Sequence, residues 1–187
     1  MTTHPIRSVT VYCSSHRDVA QAYFDAAAEL GTAIAKQQWN LIYGGNDCGC
    51  MGALANATRN AGGRVVGVTP QLLVDNGIAD EKCHELIVTR TMRERKAVME
   101  ARGDAFITLP GGLGTLEEIF EIIVGRVLGY HAKPVVLLNI AGFYDPLLTM
   151  LYHGVEQRFI RPKALTHLHV SPTVESTMEY LRGQNVQ

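Results

Sequence analysis

An α/β fold, a doubly wound parallel sheet in a single domain over residues 1–187, is what this sequence predicts, on three observations. Short β-branched runs alternate with longer segments of helical periodicity along the whole chain, the pattern of units whose parallel strands are covered by helices on both faces. Two strand-to-helix junctions are rich in glycine, Gly44-Gly45-Asn46-Asp47-Cys48-Gly49 and Pro110-Gly111-Gly112-Leu113-Gly114. The composition, 187 residues with 47% hydrophobic and 19% charged, is that of an ordinary globular chain long enough to bury one core.

Each element follows from local pattern. Val9 to Cys13 is a short β-branched strand ending in the polar run Ser14-Ser15-His16-Arg17-Asp18. Ala20, Tyr23, Phe24, Ala27, Leu30 and Ile34 then recur at helical spacing. The unit repeats with Trp39 to Tyr43 as strand, the first glycine loop, and Met51 to Ala61 as helix. Arg64 to Thr69 is a strand closed by Pro70, which cannot donate to a ladder. Gln71 to Lys82 is expected as a loop over the site. Glu85 to Val88 is the fourth strand, Thr91 to Arg102 a helix of strong helix formers, and Ala105 to Leu109 the fifth strand, running into the second glycine loop. Beyond it lie a helix from Leu116 to Gly129, a strand from Val135 to Asn139, a helix from Tyr144 to Val155, a short strand near Leu168 to Val170, and a helix from Val174 to Leu181. Ligands of such Rossmann-like sheets sit at the carboxyl ends of the strands, an edge that gathers both glycine loops, the two serines, and the segment Thr89 to Lys96.

Several functions are excluded. A formal net charge of -1 is unlike that of a general nucleic-acid binder, which needs a strong basic excess. Met1-Thr2-Thr3-His4-Pro5 lacks the charged-then-apolar pattern of a leader, and the most apolar run, Pro134 to Ile140, is far too short to cross a bilayer, so a cytoplasmic protein is expected. The four cysteines, Cys13, Cys48, Cys50 and Cys83, lack zinc or redox spacing and are expected as reduced thiols. No clustered His or Asp-x-Asp pattern offers a metal site, so neither metal nor other cofactor is expected. A serine-hydrolase elbow, Gly-x-Ser-x-Gly, is absent. His131, His153, His167 and His169 read as surface or loop histidines.

The chemistry points to the second glycine loop. Its glycines let the backbone turn freely and let a bulky ligand approach bare N–H groups, and the start of the following helix stabilises an anion without any basic side chain. It is neither a G-x-G-x-x-G fingerprint, since Glu117 stands at the third glycine, nor a P-loop, since no Gly-Lys pair exists in the chain. Thr115-Leu116-Glu117-Glu118 also fits a capping box, with Glu118 bonding the N–H of Thr115. Arg93, Arg95 and Lys96 fit either an anion pocket, where arginine offers a planar fork, or a solvated helix face paired with Glu94 and Glu100.

Tyr43-Gly44-Gly45, Met92-Arg93-Glu94-Arg95-Lys96 and Pro110-Gly111-Gly112-Leu113-Gly114-Thr115-Leu116-Glu117-Glu118, in that order, resemble the Lonely Guy family. Those proteins are phosphoribohydrolases that activate cytokinins and were long mislabelled as lysine decarboxylases. The likeness runs from about Val9 to Tyr180 and includes Gly129-Tyr130-His131-Ala132-Lys133-Pro134. It implies cleavage of the N-glycosidic bond of AMP or an N6-substituted AMP, giving free base and ribose 5-phosphate. By resemblance, Arg95 and Glu118 are catalytic. Gly111, Gly112, Gly114 and Thr115 hold the 5′-phosphate, Met92 lies near the base, and Ser14, Gly44, Gly45 and Lys96 complete the nucleotide site. The family's homodimer implies the same here, with the apolar residues 116, 119, 120, 122, 123, 124, 127 and 128 giving the helix a face wide enough for burial.

The sequence departs from the family pattern at Asn46, where a third glycine is usual, at Arg93, where a histidine is usual, in the first loop, Ser14-Ser15-His16, and at Gly125-Arg126-Val127. These positions bear on base specificity more than on reaction class. Two rivals share parts of the pattern. A non-catalytic nucleotide or molybdenum-cofactor carrier of the same fold need not keep Arg95 and Glu118 together. A pyridoxal-phosphate decarboxylase needs an aldimine lysine and an acidic partner for the ring nitrogen, and Lys96, the lysine nearest the site, sits among cations.

Overall fold

In the computed structural model, which describes residues 4–186, the elements in chain order are β1 (His4–Pro5), β2 (Ser8–Tyr12), α1 (Gln21–Lys36), β3 (Asn40–Tyr43), α2 (Gly49–Asn60), β4 (Val65–Pro70) and α3 (Gln71–Asp75). They continue with β5 (Glu85–Thr89), α4 (Met92–Arg102), β6 (Ala105–Thr108), α5 (Leu113–Leu128) and β7 (Val135–Leu138). A 3₁₀ turn (Ile140–Gly142), α6 (Asp145–Glu156), α7 (Pro162–Leu165), β8 (His169–Ser171), α8 (Val174–Arg182) and β9 (Asn185–Val186) complete the chain. The reading of Met1 to Thr3 as lacking a leader, and the ends of the expected 1–187 domain, lie outside the described residues.

Seven strands pair in parallel in the order β5-β4-β3-β2-β6-β7-β8. The chain winds outward from β2 to β5, then returns to the opposite side of β2 with β6. At that reversal the loops leaving β2 and β6 diverge and open a crevice at their carboxyl ends. Every residue of β4, β6 and β7 is buried, as strands covered on both faces must be. Side-chain alternation along β2 divides the core. Val9 and Val11 pack with Leu30 and Ile34 of α1, Leu54 of α2 and Leu181 of α8, whereas Tyr12 packs with Met99 of α4 and with Ile119 and Ile122 of α5.

The elements that the sequence reading missed are short. β1 and β9 pair antiparallel over two residues each, too few for any periodicity to show. The segment Gln71 to Lys82, expected as a loop, begins with the five-residue helix α3 and touches the first glycine loop through a bridge from Ala79 to Asn46. Helix α5 starts three residues earlier than expected, because Gly112 takes an extended N-cap conformation, with φ -88° and ψ -159°, and the helix closes on it through a bond from the Leu116 N–H to the Gly112 carbonyl.

Two buried hydroxyls hold the glycine loops in place. Tyr144 donates to the carbonyl of Leu109 at 2.7 Å, immediately before Pro110. Tyr43 donates to Asp80 at 2.7 Å; Asp80 also receives Arg59 at 2.7 Å and the Lys82 N–H at 3.0 Å, and its own N–H donates to the Gly45 carbonyl at 2.8 Å. The Asp80 carboxyl lies below its usual range: burial opposes ionisation, but the bonds from Tyr43 and Arg59 outweigh it.

Close packing of α1 on α2 depends on Gly31, where a Cβ would lie 2.3 Å from the carbonyl oxygen of Leu54. Alanine favours an isolated helix by about 1 kcal/mol over glycine, but overpacking costs about 1–3 kcal/mol, and here the obstruction is main chain that cannot rotate away. Gly31→Ala therefore lowers stability, read as a reduced urea midpoint at unchanged slope; a midpoint at or above that of the parent protein would contradict this packing.

Candidate active site

A cavity of about 610 Å³ lies at the carboxyl ends of β2, β3 and β6. Of the residues singled out from the sequence, Ser14, Gly44, Met92, Arg95, Gly112, Gly114, Thr115 and Glu118 line it. Ser14 follows β2 and Gly44 follows β3, while Met92 and Arg95 come from the first turns of α4 and the rest from the start of α5.

Helix α4 is set by Thr91, whose side chain accepts the Glu94 N–H at 3.1 Å, and by Glu94, which reaches back to the Arg90 N–H at 2.9 Å. These caps fix the first turn, and Arg95 then points into the molecule. It is not on a solvated face: its side chain is 5% exposed. Nε donates to the Val68 carbonyl at 2.9 Å, and Nη1 donates to Oε1 of Glu118 at 2.6 Å. A buried guanidinium needs such partners, because an unpaired charge there costs several kcal/mol. Gly44 is the floor beneath it, since a Cβ at that position would sit 2.2 Å from Arg95 Nη2.

Glu118 does not close a capping box. With Gly112 as N-cap, Thr115 is already inside the helix, and the Glu118 carboxylate, 7% exposed, turns to Arg95 instead. Burial pushes this carboxyl above the usual range, and Arg95 only partly reverses the rise.

The glycines of the central loop serve a different purpose from the one expected. None of Gly111, Gly112 and Gly114 has positive φ. At Gly111 a Cβ would strike Thr115 Oγ1 at 2.2 Å, whereas Gly112 and Gly114 face open space within 4 Å. Their missing side chains leave the start of α5 bare. No side chain caps that helix, so the N–H groups of Leu113, Gly114 and Thr115, which have no acceptor inside an α-helix, are left to a ligand.

Three expected lining residues lie outside the cavity. Lys96 pairs with Glu117, itself a lining residue, and, at 2.6 Å, with Glu121, and does not reach the cavity. Gly45, at φ 69°, turns behind the cavity against Val68 and Thr69. Gly111 lines a smaller, largely apolar pocket of about 220 Å³ next door, with Tyr23 and Phe143. Conversely, His16, Asn46, Met51 and Leu73 line the main cavity without having been singled out as binding residues. Leu73 lies on the segment expected to cover the site, but α3 is too short to show a helical period. Asn46 does not use a left-handed backbone; its Oδ1 accepts the Cys48 N–H at 2.8 Å in a side-chain turn. Among the described residues no three His, Cys, Asp or Glu side chains converge as a metal-ligand set.

Chemically, the arrangement offers an anion seat at the end of α5 and, one turn further along, a buried carboxylate held by a guanidinium. Such a pair of features suits a substrate that is negative at one end and develops positive charge a few ångströms away.

The family model described as "Possible lysine decarboxylase" matches residues 51–181. A cytokinin riboside 5′-monophosphate phosphoribohydrolase of Mycobacterium tuberculosis is 43% identical over 171 residues, covering 91% of each chain. One from Arabidopsis thaliana is 43% identical over 178 residues, 95% of this chain and 78% of the relative, and a rice protein named as a probable member of the same group is 42% identical over 97% of this chain and 74% of its own. Among solved structures, the molybdenum cofactor binding protein of Rippkaea orientalis aligns with a TM-score of 0.72 at 22% identity over 94% of both chains, and the molybdenum cofactor carrier protein of Chlamydomonas reinhardtii with 0.70 at 24% over 94% of this chain and 95% of its own. At these identities the two structures share the fold.

The raised Glu118 carboxyl gives a titration prediction. Its folded value lies above the unfolded one, so the stability it contributes is fully present below the unfolded pKa and is lost as pH rises through the folded pKa. Gly44→Ala drives the Arg95 guanidinium off its floor and weakens the one strong influence that lowers the carboxyl. Carboxyl-carbon NMR of Glu118 is expected to show titration above the ordinary glutamate range in the parent protein and higher still in Gly44→Ala; a downward move in the variant would show that Arg95 does not hold the charge.

Proposed function

The chain belongs to the Lonely Guy family of cytokinin riboside 5′-monophosphate phosphoribohydrolases, and from that premise we infer that it hydrolyses the N-glycosidic bond of AMP or an N6-substituted AMP to free base and ribose 5-phosphate. The observation that carries this reading is the buried Arg95–Glu118 pair beside an uncapped helix start within one cavity. A carrier needs the anion seat but not the pair.

The mechanism follows from the charges. The 5′-phosphate rests on the N–H groups of Leu113, Gly114 and Thr115, with Gly112 and Gly114 leaving room for its oxygens. As the bond from C1′ to the base nitrogen lengthens, positive charge builds on the sugar, and the buried Glu118 carboxylate stabilises it. Water adds to C1′, with Glu118 orienting it; one water proton goes to the departing base, and the hydroxyl remains on the ribose. Arg95 keeps Glu118 ionised and fixed in direction. Ser14 and Gly44 complete the cavity lining, and Met92, half exposed, meets the base.

The homodimer belongs to the same proposal. Ile119 and Ile122 of α5 are buried against the sheet, but Val124, Val127 and Leu128 are 51%, 42% and 62% exposed. With Phe159 and Leu165 they line an apolar groove of about 420 Å³, a surface suited to a second copy. Among the described residues no helix is long and apolar enough to cross a membrane; the four free thiols favour the cytoplasm as its location.

Incubation with AMP, IMP, GMP, CMP and N6-isopentenyl-AMP is expected to release free base and ribose 5-phosphate from an adenine nucleotide. Glu118→Gln, which keeps an oxygen for Arg95, and Arg95→Ala are each expected to lower kcat by about 10²–10³-fold, and Arg95→Ala, which strands the Glu118 carboxyl, also lowers stability. Because the ionised carboxylate acts, kcat rises with pH through the raised Glu118 value. Tight binding without release from any of the five nucleotides would replace the enzyme by a carrier. Sedimentation is expected to show a dimer that Leu128→Glu dissociates; a monomeric parent protein would refute the interface.

A further inference from the structure

His16 stands where the loop after β2 meets the start of α5. It lines the main cavity beside Ser14 and Gly112 and, with the same two residues, the smaller apolar pocket. The loop that carries it is fixed by its backbone. The His16 N–H donates to Ser14 Oγ at 3.0 Å, and the Ser14 carbonyl accepts the Met51 N–H at 3.2 Å. Gly49 packs so closely that a Cβ there would come within 2.7 Å of the carbonyl oxygens of Ser15 and His16. The imidazole itself is exposed and, among the described residues, makes no hydrogen bond or ion pair.

Charge at the cavity leaves one role unfilled. The reaction inferred above brings in a phosphate carrying up to two negative charges. Arg95 is committed to Glu118 and the Val68 carbonyl, and Lys96 to Glu117 and Glu121. The helix start offers N–H groups and about half a unit of positive charge. Among the described lining residues, His16 is the one basic side chain besides Arg95.

We propose that His16 is a phosphate-binding residue: its ring donates a hydrogen bond to a 5′-phosphate oxygen from the β2 loop while α5 supplies its N–H groups, and this contact favours monophosphates over nucleosides. The assignment rests on the site being a nucleoside monophosphate site. It accounts for a rigid loop that ends in an unengaged donor.

The test measures KM and kcat for AMP, and affinities for ribose 5-phosphate and adenosine by calorimetry, in the parent protein, His16→Ala and His16→Lys. His16→Ala is expected to raise KM and weaken ribose 5-phosphate about 10- to 100-fold, the loss of one charge-assisted hydrogen bond. The effect on kcat is expected to be far smaller, adenosine affinity to hold, and His16→Lys to recover most of the phosphate affinity. Unchanged ribose 5-phosphate affinity in His16→Ala overturns the proposal, as does an equal loss for adenosine, which would mark a packing role. The binding measurements need no turnover: a parent protein that binds AMP but releases no base defeats the hydrolase reading, and the ribose 5-phosphate comparison still decides the role of His16.

Discussion

The site depends on keeping one ion pair, Arg95 with Glu118, out of water. Neither partner is stable there alone. The arginine is satisfied by a main-chain carbonyl of β4 and by the carboxylate of α5, so it ties the sheet to both helices that cover its second face. The carboxylate receives one strong bond and is otherwise enclosed, which is why its proton affinity is raised despite the guanidinium beside it. An acid so placed has unspent capacity for positive charge. A transition state that supplies such charge is stabilised more than a neutral ground state, and the difference is what accelerates the reaction.

Around that pair, the fold brings together segments far apart in sequence by winding in two directions. α4 enters β6 and α5 leaves it, so the two charged residues flank a single short strand. The polar loops after β2 and β3 arrive from the other half of the sheet. Their positions are set by buried hydrogen bonds, Tyr144 to Leu109 below one glycine loop and Tyr43 to Asp80 beside the other. The cavity is therefore bounded mainly by backbone whose hydrogen bonds lie behind it, which leaves its front surface free for a ligand.

Much of this was legible in the sequence, for reasons that particular residues make clear. The β-branched runs of β2, β4 and β7 are buried on both faces and so carry an apolar signal strong enough to place the sheet. The order of the glycine and Arg-Lys motifs named the family that the relatives then showed. The detail around Glu118 was harder. Thr115 and Glu118 stand at the spacing of a capping box, and only the extended backbone of Gly112 moves the helix start and frees the carboxylate. Lys96 looked like a ligand from its place in the motif, yet the two glutamates of α5 draw it outward. His16 stood out only as part of a first loop that departs from the family pattern, because a single exposed histidine in a polar loop is indistinguishable by pattern from a solvated one.

The contact between Gly44 and Arg95 also bears on how such a protein can change over generations. A Cβ at position 44 would lie 2.2 Å from Arg95 Nη2, so a larger residue there requires the guanidinium to move. The constraint runs one way: glycine accepts any residue at position 95, whereas position 44 is held small for as long as the arginine stays in place. A position with no side chain is thereby tied to the placement of a charged residue on helix α4.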